Sequence, residues 1–159
     1  MLFLKYKELV LKDLCARLPY GVVLDVDTTD WKAPQGHIQV KIEGVGLIFK
    51  DQSLIVNGSY WGDNYKPYLR PMSSMTEEEK IKLYQIAGFY YLSNNELLKD
   101  EWRQFSDALS ENKLFLPYPI WEDELNKVYD WLNAHYFDFR GLIEKGLALE
   151  APKDMYNRI

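Results

Sequence analysis

The sequence predicts an α+β fold in which one N-terminal helix precedes a small, bent antiparallel sheet and several C-terminal helices pack on it. Two observations support this prediction. Short segments with strand-like alternation occupy residues 22–56, and longer stretches with apolar residues at helical spacing follow residue 76. The order is helix, strands, helices, and it differs from the alternating strands and helices of a parallel sheet. Sm-like and SH3-like barrels share this arrangement, which is an analogy of architecture that carries no function.

The first helix is predicted over residues 5–18. Val10 and Leu14 recur there at helical spacing, and Pro19 ends the pattern. Cys15 lies beside this apolar stripe, and we interpret it as a small core residue rather than a reactive thiol.

A meander of short strands is predicted next. Ile38, Val40 and Ile42 alternate with polar residues, which is the period of two expected for a half-buried antiparallel strand. Asn57 and Gly58 form a common turn pair. The predicted strands are residues 22–26, 38–42, 47–50 and 54–56, with a loop over residues 28–36. Residues 58–75 contain prolines and are predicted to form a last edge strand or a strap.

The helical part begins with a capping box. Thr76 offers an N-cap oxygen, and Glu79 three residues later can reach back to the amide of the cap. Three helices are predicted from this point, the last ending near His135. Their apolar stripes are Ile81, Tyr84, Phe89 and Leu92; Leu98, Trp102, Phe105 and Leu109; and Leu125, Val128 and Leu132.

Length and composition favour one globular domain. The chain has 159 residues, of which 47% are apolar and 27% charged, as in ordinary globular proteins. We expect a single domain over residues 1–159, with the first helix and the sheet in residues 1–75 and the helical part in residues 76–159. The aromatic share of 15% is high, and aromatic residues suit cores and interfaces alike.

Charge and cysteine content exclude several classes of partner and site. A formal net charge of -5 disfavours non-specific binding to nucleic acid. The single cysteine excludes a disulfide within the chain and a multi-cysteine metal site, and it fits a reducing compartment. The apolar start is broken at Lys5 and Lys7, too early for a signal peptide or a membrane anchor. We therefore expect a cytoplasmic protein without membrane contact, and the oligomeric state is left open.

The most specific catalytic pattern is a strand followed by Asp25, Asp27 and Thr29. This D-x-D-x-T pattern resembles the first motif of haloacid-dehalogenase-type phosphatases. The resemblance implies Asp25 as nucleophile and Asp27 as acid/base beside Mg²⁺. The other interpretation is that two aspartates two residues apart share the solvent face of a strand. A strand hairpin follows instead of the helix that the family requires, so we keep a Mg²⁺-dependent phosphohydrolase only as the alternative.

The two histidines give no complete site. His37 and His135 have no metal-ligand pattern around them, and we predict neither a metal nor another cofactor. Asp138 lies three residues after His135 and could orient its imidazole, but no motif places a nucleophile beside them. We interpret His135 as a helix-terminal residue that meets the negative end of the helix dipole.

The best candidate binding surface is an aromatic and basic segment, residues 60–70. Aromatic rings interleaved with cations can stack on a nucleobase, a sugar or the side chain of a partner, and they can equally pack on the sheet as a strap. The candidate residues of this segment are Tyr60, Trp61, Tyr65, Lys66, Tyr68 and Arg70.

Three stretches carry a specific pattern: DLCARLPYGV at residues 13–22, KPYLRPMSSMTEEE at residues 66–79, and WLN, FDFRGLI and LALEAP within residues 131–152. These stretches resemble a family of uncharacterised proteins of gut Bacteroidales, many of them encoded on phages and other mobile elements. The resemblance implies a bacterial or phage cytoplasmic protein, and it transfers no activity. It marks these matching polar positions: Arg17, Tyr20, Lys66, Tyr68, Arg70, Asp138 and Arg140.

The sequence therefore favours a small non-enzymatic binding or adaptor protein of a phage or mobile element. Its expected binding surface is the aromatic and basic segment together with Asp138 and Arg140. The expected partner is a protein or a small nucleotide-like ligand, and a counter-defence role against the host fits either partner.

Overall fold

A computed structural model of the chain describes residues 2–48, 53–60, 65–89, 96–116 and 120–156. The chain divides into two compact units. The first unit comprises Met1–Leu69 and Leu142–Ile159, and the second comprises Arg70–Gly141. Strands lie in the first unit and most of the helical residues in the second, so the predicted α+β class is confirmed.

Helix α1 spans Leu2–Arg17 and leads into a short 3-10 helix at Leu18–Tyr20. Its buried face consists of Val10, Asp13, Leu14 and Arg17, the spacing of one helix face. Asp13 and Arg17 are fully buried as an ion pair, with Arg17 Nε 3.0 Å from both carboxylate oxygens. Cys15 is exposed, so its interpretation as a core residue is wrong. One residue past Leu14 the helix has turned by about 100° toward solvent.

The main sheet of the first unit has four strands in the order β2-β1-β6-β7. Its strands are β1 (Val23–Asp27), β2 (His37–Lys41), β6 (Tyr65–Leu69) and β7 (Leu149–Glu150). β1 is antiparallel to both of its neighbours, whereas β6 and β7 are parallel. The strands predicted near residues 22–26 and 38–42 are confirmed, but the all-antiparallel sheet is wrong because β7 joins it in parallel.

The strand predicted within residues 58–75 is confirmed as β6, but β6 lies between β1 and β7 and is therefore internal, not an edge strand or a strap. β7 pairs only with Tyr68 and Leu69, and Pro67 precedes that short ladder. A proline is tolerated where no partner strand requires its missing N–H.

A second, three-stranded sheet has the order β3-β4-β5, with β3 at Val45–Ile48, β4 at Ser53–Val56 and β5 at Ser59–Tyr60. The predicted turn at Asn57 and Gly58 is confirmed, and both residues have positive φ. The Asn57 side chain accepts a hydrogen bond from Gly44 N and donates one to Lys41 O. Residues 49 and 50, the predicted end of the first of these strands, lie outside the described residues. The described strands thus form two sheets, and they do not close into one barrel.

One C-terminal side chain completes the main sheet. Leu24 of β1 pairs with Pro67 of β6, and the next ladder position would join Val23 to Tyr68. The Tyr156 hydroxyl takes that position instead: it accepts a hydrogen bond from Val23 N at 3.0 Å and donates one to Tyr68 O at 2.8 Å. Both backbone groups are satisfied in this way without direct strand pairing.

The second unit packs three helices around an apolar core. They are α2 (Glu77–Ile86), α3 (Glu96–Ser110) and α4 (Glu122–Ala134). The core residues are Met72, Met75, Leu83, Tyr84, Ala87, Phe105, Leu109, Val128, Leu132 and Phe137. No helix among the described residues is both long and apolar enough to span a membrane.

The capping box predicted for α2 is confirmed, with Thr76 and Glu79 exchanging hydrogen bonds. Ile81 is 36% exposed, so its assignment to the buried stripe is wrong, because α2 buries the face that carries Leu83 and Tyr84. Predicted stripe residue Leu92 and the side chain of Leu98 lie outside the described residues.

We predict that Tyr156→Phe lowers the free energy of unfolding by about 1–3 kcal/mol, because Val23 N–H and Tyr68 C=O lose their shared partner. Urea unfolding of the two proteins measures the difference. Tyr129→Phe is the matched control, since it removes a hydroxyl from an exposed tyrosine. Equal unfolding midpoints for wild type and Tyr156→Phe would contradict the prediction.

Candidate binding site on the four-stranded sheet

The outward face of the four-stranded sheet is polar. Side chains alternate between the two faces of a strand, and the register places Asp25 of β1 between Gln39 of β2 and Lys66 of β6. We call this surface the polar sheet face. Its members are Asp25, Asp27, His37, Gln39, Lys41, Lys66 and Tyr68.

Asp25 is the centre of this face. His37 Nδ1 donates a hydrogen bond to Asp25 Oδ2 at 2.9 Å, and the Tyr68 hydroxyl donates to Asp25 Oδ1 at 3.4 Å. The two donors come from the strands on either side of β1. They cover the carboxylate, so that Asp25 is only 9% exposed, whereas the side chain of His37 is 65% exposed.

The contacts at Asp25 change the titration of both donors. The hydrogen bond to Asp25 and its negative charge raise the pKa of His37, and the charge of Asp27 adds to this effect. Burial and the charge of Asp25 raise the pKa of Tyr68, although a hydrogen bond with Gln39 opposes them. The phenol therefore stays protonated near neutral pH and remains a donor.

Asp27 serves the loop that follows β1. It accepts hydrogen bonds from the backbone N–H and the hydroxyl of Thr29, and these bonds lower the pKa of Asp27. The Thr28 hydroxyl donates to Gly36 O and accepts from Gln35 N, both at 2.7 Å. These bonds close the loop of residues 28–36 and lead the chain directly into β2.

This setting does not match the phosphatase motif. β1 has antiparallel neighbours on both sides, and residues 23–41 contain a strand, a loop and a strand where the family has a helix. Among the described residues no group of three or more His, Cys, Asp or Glu side chains could hold a metal ion. The geometry therefore gives no support to Asp25 and Asp27 as a nucleophile and an acid/base pair.

His135 lies at the C-terminal end of α4, as interpreted from the sequence. Its Nδ1 is 2.8 Å from the carbonyl oxygen of Trp131, and its ring stacks on that of Trp131 with centroids 4.1 Å apart. The imidazole contacts the last turn of its own helix, which is a structural arrangement.

Arg70, a predicted binding residue, lies in the interior of the second unit and is 4% exposed. Its Nη1 and Nη2 donate to the two carboxylate oxygens of Glu79 at 3.0 and 2.9 Å, and its guanidinium lies 4.0 Å from the centroid of Phe137. The Arg70 backbone also accepts from Asp138 N and donates to Tyr136 O. A partner could reach this guanidinium only after the unit had opened.

Other predicted binding residues are also buried or engaged in contacts within their own unit. Asp138 is 6% exposed in the second unit, and Tyr65 is 4% exposed on the inner side of β6. Arg140 is half-buried, donates to Asn133 Oδ1 at 3.1 Å and covers the Phe139 ring.

Two predicted members of the segment, Lys66 and Tyr68, share the polar sheet face, where Lys66 is exposed. The side chain of Tyr60 is not described, and Trp61 lies outside the described residues. Sequence reasoning missed Gln39 and treated His37 only as a candidate metal ligand. The signal that could have found them is the strict alternation of β2, which places both on the same face of the sheet.

Arg70→Met is predicted to lower the free energy of unfolding by about 3–5 kcal/mol, because it leaves the Glu79 carboxylate without its partner in a largely buried position. Burial raises the pKa of Glu79, but the hydrogen bonds from Arg70 and Thr76 outweigh burial and the pKa is lowered. Removing both charges, in Arg70→Met with Glu79→Gln, should restore part of the lost stability. An unchanged urea midpoint for Arg70→Met would refute the interior role.

We predict that His37 stabilises the fold more at low pH than at high pH. Because the folded pKa lies above the ordinary value of 6.5, the contribution is full below 6.5 and is lost as the pH rises through the folded pKa. The difference in urea midpoint between wild type and His37→Gln should therefore be larger at about pH 5.5 than at about pH 9. The same difference at both pH values would contradict it.

No protein-family model matches this chain, and no curated protein or solved structure matches it either. The resemblance to the Bacteroidales and phage family accordingly stays a prediction. The fold itself provides a polar sheet face in which side chains of β2 and β6 donate hydrogen bonds to Asp25 of β1.

Proposed function

We propose that this protein is a non-enzymatic binding or adaptor protein that holds a protein partner on the polar sheet face. The observation that supports the proposal is the hydrogen-bonded centre of this face, where His37 and Tyr68 fix the Asp25 carboxylate from both sides. Side chains that are already fixed lose less conformational entropy when a partner binds.

The accessible charged groups of this face are Lys41 and Lys66, which are exposed, and Asp27, which is half-buried and accepts hydrogen bonds from Thr29. Asp25 is covered, whereas Gln39, Lys41 and Lys66 are exposed and His37 presents most of its imidazole to solvent. A partner would therefore meet hydrogen-bond donors and positive charge in a chain whose net charge is -5. Local charge of the opposite sign selects partners and speeds their association.

This proposal places binding on the sheet face and keeps only part of the aromatic and basic segment. Lys66 and Tyr68 contribute side chains to the face. Arg70, Asp138 and Arg140 act in the second unit as structural residues. We further propose that the sheets of the first unit are bent, as the sheets of Sm-like and SH3-like folds are.

The sequence resemblance adds a biological setting to the proposal. In a phage or mobile-element protein, a partner of the host bacterium would give the face a counter-defence role. A small nucleotide signal is the other ligand that exposed cations would suit, and the experiment below distinguishes it from a protein.

The test is affinity capture from a Bacteroidales lysate, followed by mass spectrometry of proteins and small molecules. We predict that Lys66→Glu weakens partner binding at least about tenfold, because it reverses an exposed charge at the centre of the face. Lys12→Glu, an exposed charge reversal on α1, is the matched control and should bind like wild type.

Three outcomes would contradict this proposal. Equal binding by Lys66→Glu and Lys12→Glu would remove the sheet face from recognition. Capture of a nucleotide in place of a protein would change the ligand class. Mg²⁺-dependent hydrolysis of a phosphoester that is abolished by Asp25→Asn would establish the enzyme alternative.

A further inference from the structure

In the described part of the chain, the outer edge of β2 has no paired strand. β2 is the terminal strand of the order β2-β1-β6-β7, and no strand among the described residues pairs with its other side. Ile42 N donates to Val22 O, and Thr28 N donates to Gly36 O, both at 2.9 Å. These two bonds mark the hydrogen-bonded positions of the β1–β2 ladder.

The alternation of an antiparallel ladder then determines where the remaining backbone groups point. Between those two bonds, Ile38 and Val40 occupy the positions that bond to β1. The N–H and C=O groups of His37, Gln39 and Lys41 therefore point away from β1, toward the open edge. At one end Asn57 Nδ2 donates to Lys41 O at 2.9 Å and closes the edge there.

The apolar side of β2 is incompletely covered. Ile38 and Val40 are half-buried, whereas their neighbours Leu24 and Val26 on β1 are fully buried. A strand added beside β2 would bring apolar side chains next to Ile38 and Val40, and it would remove more of their surface from water.

The charges along the edge select the occupant. His37 and Lys41 lie on either side of Gln39 on the polar face, and both are exposed. If a second copy paired antiparallel about Gln39, each Lys41 would lie opposite a His37 whose Nδ1 already donates to Asp25, so the second copy would bring no carboxylate to Lys41. A strand with acidic side chains on that face would instead form opposite-charge pairs.

We propose that the edge of β2 binds an extended segment of a protein partner in which acidic and apolar residues alternate. Backbone hydrogen bonds to His37 and Gln39 hold the segment, its acidic residues meet the side chains of His37 and Lys41, and its apolar residues cover Ile38 and Val40. Such strand addition is a recurring mode of peptide recognition. This inference rests on the proposed function, because it states how the partner is held.

The direct test uses a short peptide in which glutamate and valine alternate, added to the ¹⁵N-labelled protein. Binding should slow hydrogen exchange of the His37 and Gln39 amides, which face the edge. Leu24 is the internal reference, since it lies in the ladder between β2 and β6. A peptide alternating lysine with valine should bind more weakly, and equal binding of the two peptides would overturn the proposed charge selection.

Two variants at Gln39 separate the contribution of its backbone N–H from that of its side chain. Gln39→Pro and Gln39→Ala both remove the amide side chain, but only proline also removes the N–H that points to the edge. We predict that Gln39→Pro binds the glutamate–valine peptide about fivefold more weakly than Gln39→Ala, the loss expected for one backbone hydrogen bond.

The outcomes separate this inference from the proposed function. Equal peptide binding by Gln39→Pro and Gln39→Ala, with no protection of the edge amides in wild type, overturns strand addition and leaves the Lys66→Glu test of the sheet face intact. A dimer of the free protein that becomes monomeric in Gln39→Pro also overturns it, because the occupant is then a second copy. If Gln39→Pro has a much lower melting temperature than Gln39→Ala, the two variants are not comparable. The hydrogen exchange of the edge amides in wild type then decides whether strand addition occurs.

Discussion

A carboxylate on the middle strand of the sheet constrains the whole outward face. Asp25 is 9% exposed, and burying an ionised group is costly unless hydrogen bonds replace the lost water. The bonds come from His37 on one neighbouring strand and Tyr68 on the other. The hydrogen bonds to Asp25 therefore join three neighbouring strands on the polar side of the sheet. They also leave most of the His37 imidazole exposed to solvent.

The same principle recurs in the interior of each unit. Asp13 and Arg17 form a fully buried ion pair on α1, and Arg70 pairs with Glu79 beside the Phe137 ring. Glu79 also belongs to the capping box of α2, so one carboxylate joins a buried cation to the start of a helix. These charges act in the fold and are not available to a partner.

Features with a local cause could be predicted from the sequence. The capping box, the turn after β4 and the alternation of β2 depend on residues close together in the chain. The burial of Arg70 and the parallel pairing of β7 depend on distant partners, and no local pattern reveals them. Its place among interleaved aromatic residues suggested that Arg70 binds a ligand, and its contacts with Glu79 and Phe137 give it a structural role. Of the polar sheet face, the sequence indicated Lys66 and Tyr68 as binding residues and Asp25 and Asp27 as catalytic candidates, but their shared face required the strand register.

The Tyr156 hydroxyl has a consequence for the order of folding. It lies 133 residues from Val23 and 88 residues from Tyr68 along the chain, so both of its hydrogen bonds are highly non-local. Contacts of this kind form late, because the loop that they close carries a large entropic cost. During synthesis on the ribosome, β1 and β6 can pair at Leu24 and Pro67 long before Tyr156 emerges, so the nascent sheet remains open at the position of Val23 and Tyr68 until Tyr156 has left the ribosome.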